Sequence, residues 1–265
     1  MHGRRVLSAL ILIPLFFLVV VYGGEAGFAL LMMGGAGFGL WEFIRLVDPL
    51  RGVWGILPLL GGMGLVGATY GGGLEWLSIG VTFLLLLQLS LSVIEAGEME
   101  ANLRRAALRF LGMLYVACPL SLAVALRGMP GGVQYILLAC GIVWVGDTGA
   151  YYAGSTLGRH PLAPRVSPHK SVEGSVAGLI ASMGTAWILA RALGMSLGPL
   201  PSLLFGGVIG AVGQIGDLAE SFIKRALQVK DTGRLIPGHG GMLDRIDSLL
   251  FAIPVFYLWV RMGWI

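Results

Sequence analysis

The chain has 265 residues, 56% of them hydrophobic and only 12% charged, with 43 glycines. That composition excludes a soluble domain with a polar surface, because most of the chain must face lipid or other apolar helices. The net charge of +4 does not point to nucleic acid, since the basic residues are scattered through short connectors rather than gathered into one stripe.

Apolar runs at roughly 6-23, 26-44, 53-70, 76-94, 108-126, 132-153, 173-193, 202-223 and 247-263 predict about nine transmembrane helices. Runs of about 18 to 22 residues match a hydrocarbon core of ~30 Å at a rise of ~1.5 Å per residue. Backbone groups in lipid need internal partners, so the spans must be helical and the expected class is an all-α integral membrane protein. The first run follows Arg4 and Arg5 and is read as a retained helix, since its core is longer than that of a signal peptide and more spans follow. With the N-terminus cytoplasmic, every Lys and Arg except Arg127, Arg191 and Arg261 falls on the inner side. The expected location is the inner (cytoplasmic) membrane, multi-pass, with the chemistry facing the cytoplasm and the C-terminus outside.

No Pro/Ser-rich linker or charge block divides the chain, so 1-265 is read as a single polytopic domain. Within it, 1-130 would supply N-terminal helices with a scaffold or lipid-access role, and 131-265 the catalytic helices and cytoplasmic loops. In the first part, Glu42 beside Arg45 reads as an interfacial ion pair. The segment 95-109 (EAGEMEANLRRAALR) reads as a solvated interfacial helix. The small-residue runs at 34-39 and 174-178 suit close helix packing. Cys118 and Cys140 lie in apolar segments without a CxxC or Cys/His neighbour and read as buried thiols.

Chemistry-bearing residues gather in the last part. Asp147 and Tyr151 stand at i,i+4 near the end of the sixth span, followed by Gly158, Arg159, Arg165, Ser167, Pro168, His169, Lys170, Ser171 and Glu173. Taken alone, that stretch has two readings: an ordinary basic inside loop, or a helix start capped by Ser171 whose N–H groups could bind phosphate. In the eighth span Asp217, Glu220, Ser221 and Lys224 share one helical face. An unpaired carboxylate in a span costs about 2.5 to 3.5 kcal/mol, so these groups need partners. Pairing of Glu220 with Lys224 is one solution, and it leaves Asp217 for a cation or a wet cavity. The ninth span opens with Asp244, Arg245, Asp247 and Ser248. Between them KDTGRLIPGHGG (230-241) cannot continue a helix, so the chain turns back and the two acidic faces can meet. Its glycines let backbone N–H groups approach an anion. A hard divalent cation held by carboxylates and substrate phosphates suits this oxygen-rich, thiol-free set, and His239 in a basic loop favours phosphate contact over zinc ligation.

The run Ser221-x-x-Lys224-Arg225-x4-Lys230-Asp231-x4-Ile236-Pro237-Gly238-His239-Gly240-Gly241-x-x-Asp244-Arg245-x-Asp247 closely resembles the signature of the phosphatidate cytidylyltransferase (CDP-diacylglycerol synthase) family. Asp147-x-x-Ala150-Tyr151 and Ser167-Pro168-x-Lys170-x-x-Glu173-Gly174 resemble that family's second region. Two departures stand out: His169-Lys170-Ser171 replaces an expected Lys-Lys-Thr, and Gly154-Ser155 an expected Gly-Arg. The resemblance implies an all-helical homodimer that converts CTP and phosphatidate to CDP-diacylglycerol and pyrophosphate with Mg2+, for which Mn2+ can substitute, and with a monovalent cation such as K+ nearby. It implies catalytic roles for Asp217, Asp244, Lys224 and His239, with Asp217 and Asp244 as metal ligands. Substrate contacts are implied for Asp147, Tyr151, Ser167, Lys170, Ser171, Glu173, Glu220, Ser221, Arg225, Lys230, Asp231, Arg234, Gly240, Gly241, Arg245 and Asp247. Two other classes fit parts of the pattern. A cation-coupled transporter would place its polar groups near the bilayer midplane in paired halves. A CTP-using polyprenol kinase relative would release CDP rather than pyrophosphate.

Overall fold

The computed structural model describes residues 13–48, 53–229, 231–233 and 241–265. Its helices are α1 (Ile13–Tyr22), α2 (Gly24–Val47), α3 (Val53–Ile94), α4 (Met99–Arg127), α5 (Gly132–Leu157), α6 (Val172–Ala192), α7 (Pro199–Ala226) and α8 (Leu243–Arg261). Six of these, α2 to α7, are long and apolar enough to cross a membrane, which makes the protein a multi-pass helical membrane protein. The chain divides into two compact units, one of residues Met1–Pro130 with Asp231–Arg245 and one of Gly131–Lys230 with Ile246–Ile265.

In the first unit, the 42 residues of α3 would extend about 63 Å as a straight helix, twice the hydrocarbon core. The helix is not straight. Gly73 breaks it at φ 71°, ψ −161°, a conformation open to glycine and strained for other residues. The two halves then fold back on each other, with Gly61 against Leu84 and Gly80 against Leu65, pairs placed symmetrically about the break. The two runs expected at 53-70 and 76-94 are these halves. Gly62 lets Leu40 of α2 seat against α3, and Gly112 of α4 lies against Phe43 of α2. Arg127 at the end of α4 donates to the Val20 carbonyl of α1 at 3.2 and 3.1 Å.

The segment 95-109 departs from the solvated helix expected of it. The helix α4 runs unbroken from Met99 to Arg127, and Arg109 is buried. Its guanidinium grips Asp48 through Nε at 2.8 Å and Nη2 at 2.5 Å, and Glu95 through Nη1 at 2.9 Å and Nη2 at 3.0 Å. Two carboxylates bound in this way satisfy the buried cation, which explains why it is tolerated among apolar side chains. The hydrogen bonds from Arg109 hold the Glu95 carboxyl below the usual carboxylate range, against the opposing effect of burial.

In the second unit, α5, α6 and α7 pack closely through small residues. Ser182 of α6 donates to the Ile142 carbonyl of α5 at 3.0 Å and lies against Gly206 and Gly210 of α7. Gly174 and Gly178, in the run expected to pack closely, face α5 with no room for a side chain. An aromatic group of Tyr135, Phe205, Phe256 and Trp259 joins α5, α7 and α8. Cys140 is buried and Cys118 half-buried, both as free thiols.

Among the described residues one short sheet interrupts the helices. Strands β1 (Pro161–Ala163) and β2 (Ser167–Ser171) form an antiparallel hairpin between α5 and α6, pairing Pro161 with Ser171 and Ala163 with Ser167. At its end Ser171 caps α6, its Oγ accepting from Gly174 N at 3.1 Å.

Candidate active site

The second unit gathers Asp147 from α5, Lys170 from β2, Asp217, Glu220 and Lys224 from α7, and Asp247 and Ser248 from α8. Their elements explain the convergence. The expected helical face of α7 is real: Asp217, Glu220 and Lys224 follow one another at one-turn spacing. Gly216 on α7 lies against the Asp247 carbonyl and Phe251 of α8, so the two backbones approach closely enough for short acidic side chains to meet. The hairpin then carries Lys170 to α7. Its Nζ stands 2.5 Å from Asp217 Oδ2, with the side chains 28% and 34% exposed.

Glu220 and Lys224 form the i,i+4 pair allowed by the sequence, at 2.6 Å, with the Glu220 side chain only 1% exposed. Asp217 therefore has its own partner in Lys170. Asp147 lies close to Ser248 and within electrostatic reach of Asp217 and Asp247. Asp247 in turn interacts with Glu220 and feels the charge of Asp217 and Lys224. Four carboxyl groups thus surround two ammonium groups, an excess of acidic over basic groups that includes a partly solvated edge at Asp217 and Lys170. Among the described residues its candidate metal donors are all oxygens, the chemistry preferred by a hard divalent cation.

Other expected residues frame this cluster. Ser171 is the α6 cap described above. Glu173 reaches back to accept from Arg159 N at 3.0 Å and His160 N at 3.2 Å, and it meets His160 Nδ1 at 2.6 Å, fixing the connection from α5 into the hairpin. Arg225 donates from Nε to the Val166 carbonyl at 3.3 Å, tying the end of α7 to the hairpin turn. Ser167 and Ser221 are half-buried, whereas Tyr151 is exposed. Gln214, which the sequence did not mark, exchanges hydrogen bonds with Ser175 Oγ at 2.5 Å and the Ser175 carbonyl at 3.0 Å, locking α7 to α6.

The start of α8 belongs to the first unit. There Asp244 Oδ2 accepts from Gly241 N at 2.8 Å, Thr232 Oγ1 at 3.0 Å and Thr232 N at 3.3 Å. Asp231 and Arg245 are exposed. Lys230, Arg234, His239 and Gly240 lie outside the described residues.

Glu42 corrects the sequence reading. It is 1% exposed and does not pair with Arg45, which stacks over the Trp41 ring at 5.2 Å. Instead Glu42 Oε2 accepts from Leu243 N at 2.9 Å and faces Thr232 Oγ1 at 3.4 Å. Its partners are about 200 residues away along the chain, beyond the reach of spacing arguments; the one available signal was a carboxylate inside an otherwise uncharged early span.

The fold and the cluster define a multi-pass helical membrane protein with a carboxylate and lysine site built on its last helices. The family follows from comparison with known proteins. The chain belongs to the cytidylyltransferase family, whose sequence pattern it matches over residues 3–262. It is 32% identical over 263 residues to the phosphatidate cytidylyltransferase of Bacillus subtilis (strain 168), covering 96% of each chain. It is also 32% identical to that of Staphylococcus haemolyticus (strain JCSC1435), over 95% of this chain and 96% of the relative. With the Staphylococcus saprophyticus protein of the same name, identity is 44% over 124 residues, 47% of this chain and 48% of the other.

Proposed function

We infer that this chain is a membrane nucleotidyltransferase that converts CTP and phosphatidate to CDP-diacylglycerol and pyrophosphate in phospholipid biosynthesis. The relatives that match it nearly end to end are named for this activity. The observation that carries the reading is the cluster of Asp147, Lys170, Asp217, Glu220, Lys224 and Asp247, which lies within the region bearing the signature.

A phosphatidate phosphate oxygen, anionic at neutral pH, attacks the α-phosphorus of CTP. The new P–O bond forms as the bond to the bridging oxygen of the departing pyrophosphate breaks. No strong general base is needed, so the work falls to positioning and to positive charge. Lys170 and Lys224 are the cations within the cluster; the carboxylates beside them keep their ammonium groups in place, and substrate phosphates compete for the same N–H donors. Arg225, Lys230, Arg234, His239 and Arg245 add charge along the following stretch. Tyr151, Ser167, Ser171, Glu173, Ser221, Asp231, Gly240 and Gly241 complete the proposed substrate-binding set.

Among the described residues, no group of three or more His, Cys, Asp or Glu side chains suffices to hold a metal ion. A cation here would complete its shell with water and substrate phosphates, as Mg2+ does. The all-oxygen donors fit Mg2+, with Mn2+ as a substitute, and Asp217 and, by its place in the signature, Asp244 are the carboxylates assigned to it. When bound, it offsets charge on the CTP phosphates and the leaving pyrophosphate. A monovalent cation such as K+ suits the excess of carboxylates.

The same reading places nine crossings in the inner membrane, with the N-terminus and the site on the cytoplasmic face, in a homodimer. The break at Gly73, which makes two spans of α3, and the contact of Arg127 with α1 at ends expected to lie on one side support the count. Phosphatidate then enters sideways from the leaflet and CTP from water.

The test is purified protein in detergent with phosphatidate, labelled CTP and Mg2+. Lipid-borne cytidine nucleotide with pyrophosphate release is the expected result. Release of CDP with phosphorylated lipid would instead assign a kinase, and no product across lipids and salts would reject the enzyme reading.

A further inference from the structure

Glu42 is a buried carboxylate on α2 that the transfer chemistry leaves unused. Its Oε2 accepts from Leu243 N at 2.9 Å and faces Thr232 Oγ1 at 3.4 Å, while Oε1 is buried and has no hydrogen-bond partner among the described residues. The backbone on both sides closes around it. A Cβ at Gly233 would fall against Glu42 Oε1, and one at Gly241 would lie 2.5 Å from Oε2, so only glycine lets the chain approach this closely.

These partners are the residues that lead into and out of the glycine-rich part of the signature. Thr232 and Gly233 precede it, Gly241 is its last residue and Leu243 follows it. The same Thr232 hydroxyl stands 3.0 Å from Asp244 Oδ2, and Leu243 is the chain neighbour of Asp244. One carboxylate on a transmembrane helix therefore holds both stems and, through Thr232 and Leu243, the approach to Asp244. A buried carboxylate would not persist at a merely structural hydrophobic contact, where a leucine would serve without the desolvation cost.

We propose that Glu42 is a positioning residue for the transfer reaction, fixing Asp244 and the stems at 232–233 and 241–243 from α2 without touching substrate. The inference rests on the cytidylyltransferase reading and on the assignment of Asp244 to the cation. Glu42→Ala removes the acceptor for Leu243 N and leaves that amide buried. Loss of an indirect support of a metal ligand typically lowers metal affinity about 10- to 100-fold. Glu42→Gln keeps an acceptor oxygen at the same reach.

The experiment compares wild type, Glu42→Ala, Glu42→Gln and Thr232→Val in detergent, with two readouts. The first is the Mg2+ concentration for half-maximal activity. It is expected to rise roughly tenfold or more in Glu42→Ala, less in Thr232→Val, and about threefold at most in Glu42→Gln, with the KM for phosphatidate unchanged. A general loss of folded protein would lower the amplitude and leave the Mg2+ midpoint in place. The second is the rate of tryptic cleavage after Lys230 and Arg234, expected to increase in Glu42→Ala and to stay near wild type in Glu42→Gln. If Glu42→Ala does not fold, Thr232→Val carries the test alone. Unchanged Mg2+ midpoints and cleavage rates in an active enzyme would overturn the proposal, as would Glu42→Gln behaving like Glu42→Ala, since the acceptor geometry would then not be what matters. A wild type inactive with CTP and phosphatidate would overturn the functional reading instead, and the cleavage comparison would still judge the role of Glu42 in holding the stems.

Discussion

The Arg109 cluster of the first unit and the Asp217 cluster of the second use the same residue types with opposite balance. Around Arg109, two carboxylates close on one guanidinium through four hydrogen bonds, and all three side chains are under 10% exposed. Around Asp217, four carboxyl groups face two lysines, and the Lys170 to Asp217 edge is about one-third exposed. A closed, fully engaged network holds a fold together. An open one, with more carboxyl groups than lysines and a partly exposed edge, is the kind proposed to take a cation and phosphates from water. The two clusters are two kinds of buried charge that composition alone treats alike.

Substitutions should divide along the same line. Lys170→Ala is expected to have the largest effect on activity, lowering kcat/KM roughly 100-fold or more while thermal unfolding stays close to wild type, because under the proposed mechanism it removes a preorganised cation near the transferring phosphoryl group. Arg109→Ala is expected to do the reverse. Breaking a buried pair while leaving its partners behind costs about 3 to 5 kcal/mol. Denaturation in detergent should show that loss, and turnover per folded molecule should be retained. A smaller effect tests the Glu95 arm. Its folded pKa lies below the ordinary value, so its contribution is present at neutral pH and is lost as pH falls from the ordinary carboxylate range, near 4.5, through the lower folded value. The melting temperature of the wild type should drop across that window, and Glu95→Gln should flatten the drop. The smallest is Ser171→Ala, which removes the α6 cap and should cost about 1 kcal/mol by the same denaturation measurement.

Much of this was legible in the chain because it is local. The apolar runs located the helices, the gap between the runs at 53-70 and 76-94 fell on the break of α3, helical spacing gave the shared face of Asp217, Glu220 and Lys224, and Ser171 was placed correctly as a cap. What stayed hidden is carried by tertiary packing. Lys170 and Asp217 meet because a short hairpin folds onto α7, and nothing in SPHKS distinguishes a strand from a basic loop. Glu42 seemed paired with Arg45, its helical neighbour, until the structure turned it toward Leu243 and Thr232. Arg109 looked like one of several surface arginines because the burial of one helical face by Asp48 and Glu95 is decided elsewhere in the chain.

The central claim is that the carboxylate and lysine cluster, and not the membrane scaffold around it, performs cytidylyl transfer. Asp217→Ala, reconstituted with phosphatidate and supplied with labelled CTP and Mg2+, tests it most directly. The expected result is loss of CDP-diacylglycerol formation from a protein that elutes and melts like wild type; full activity in that variant would contradict the account.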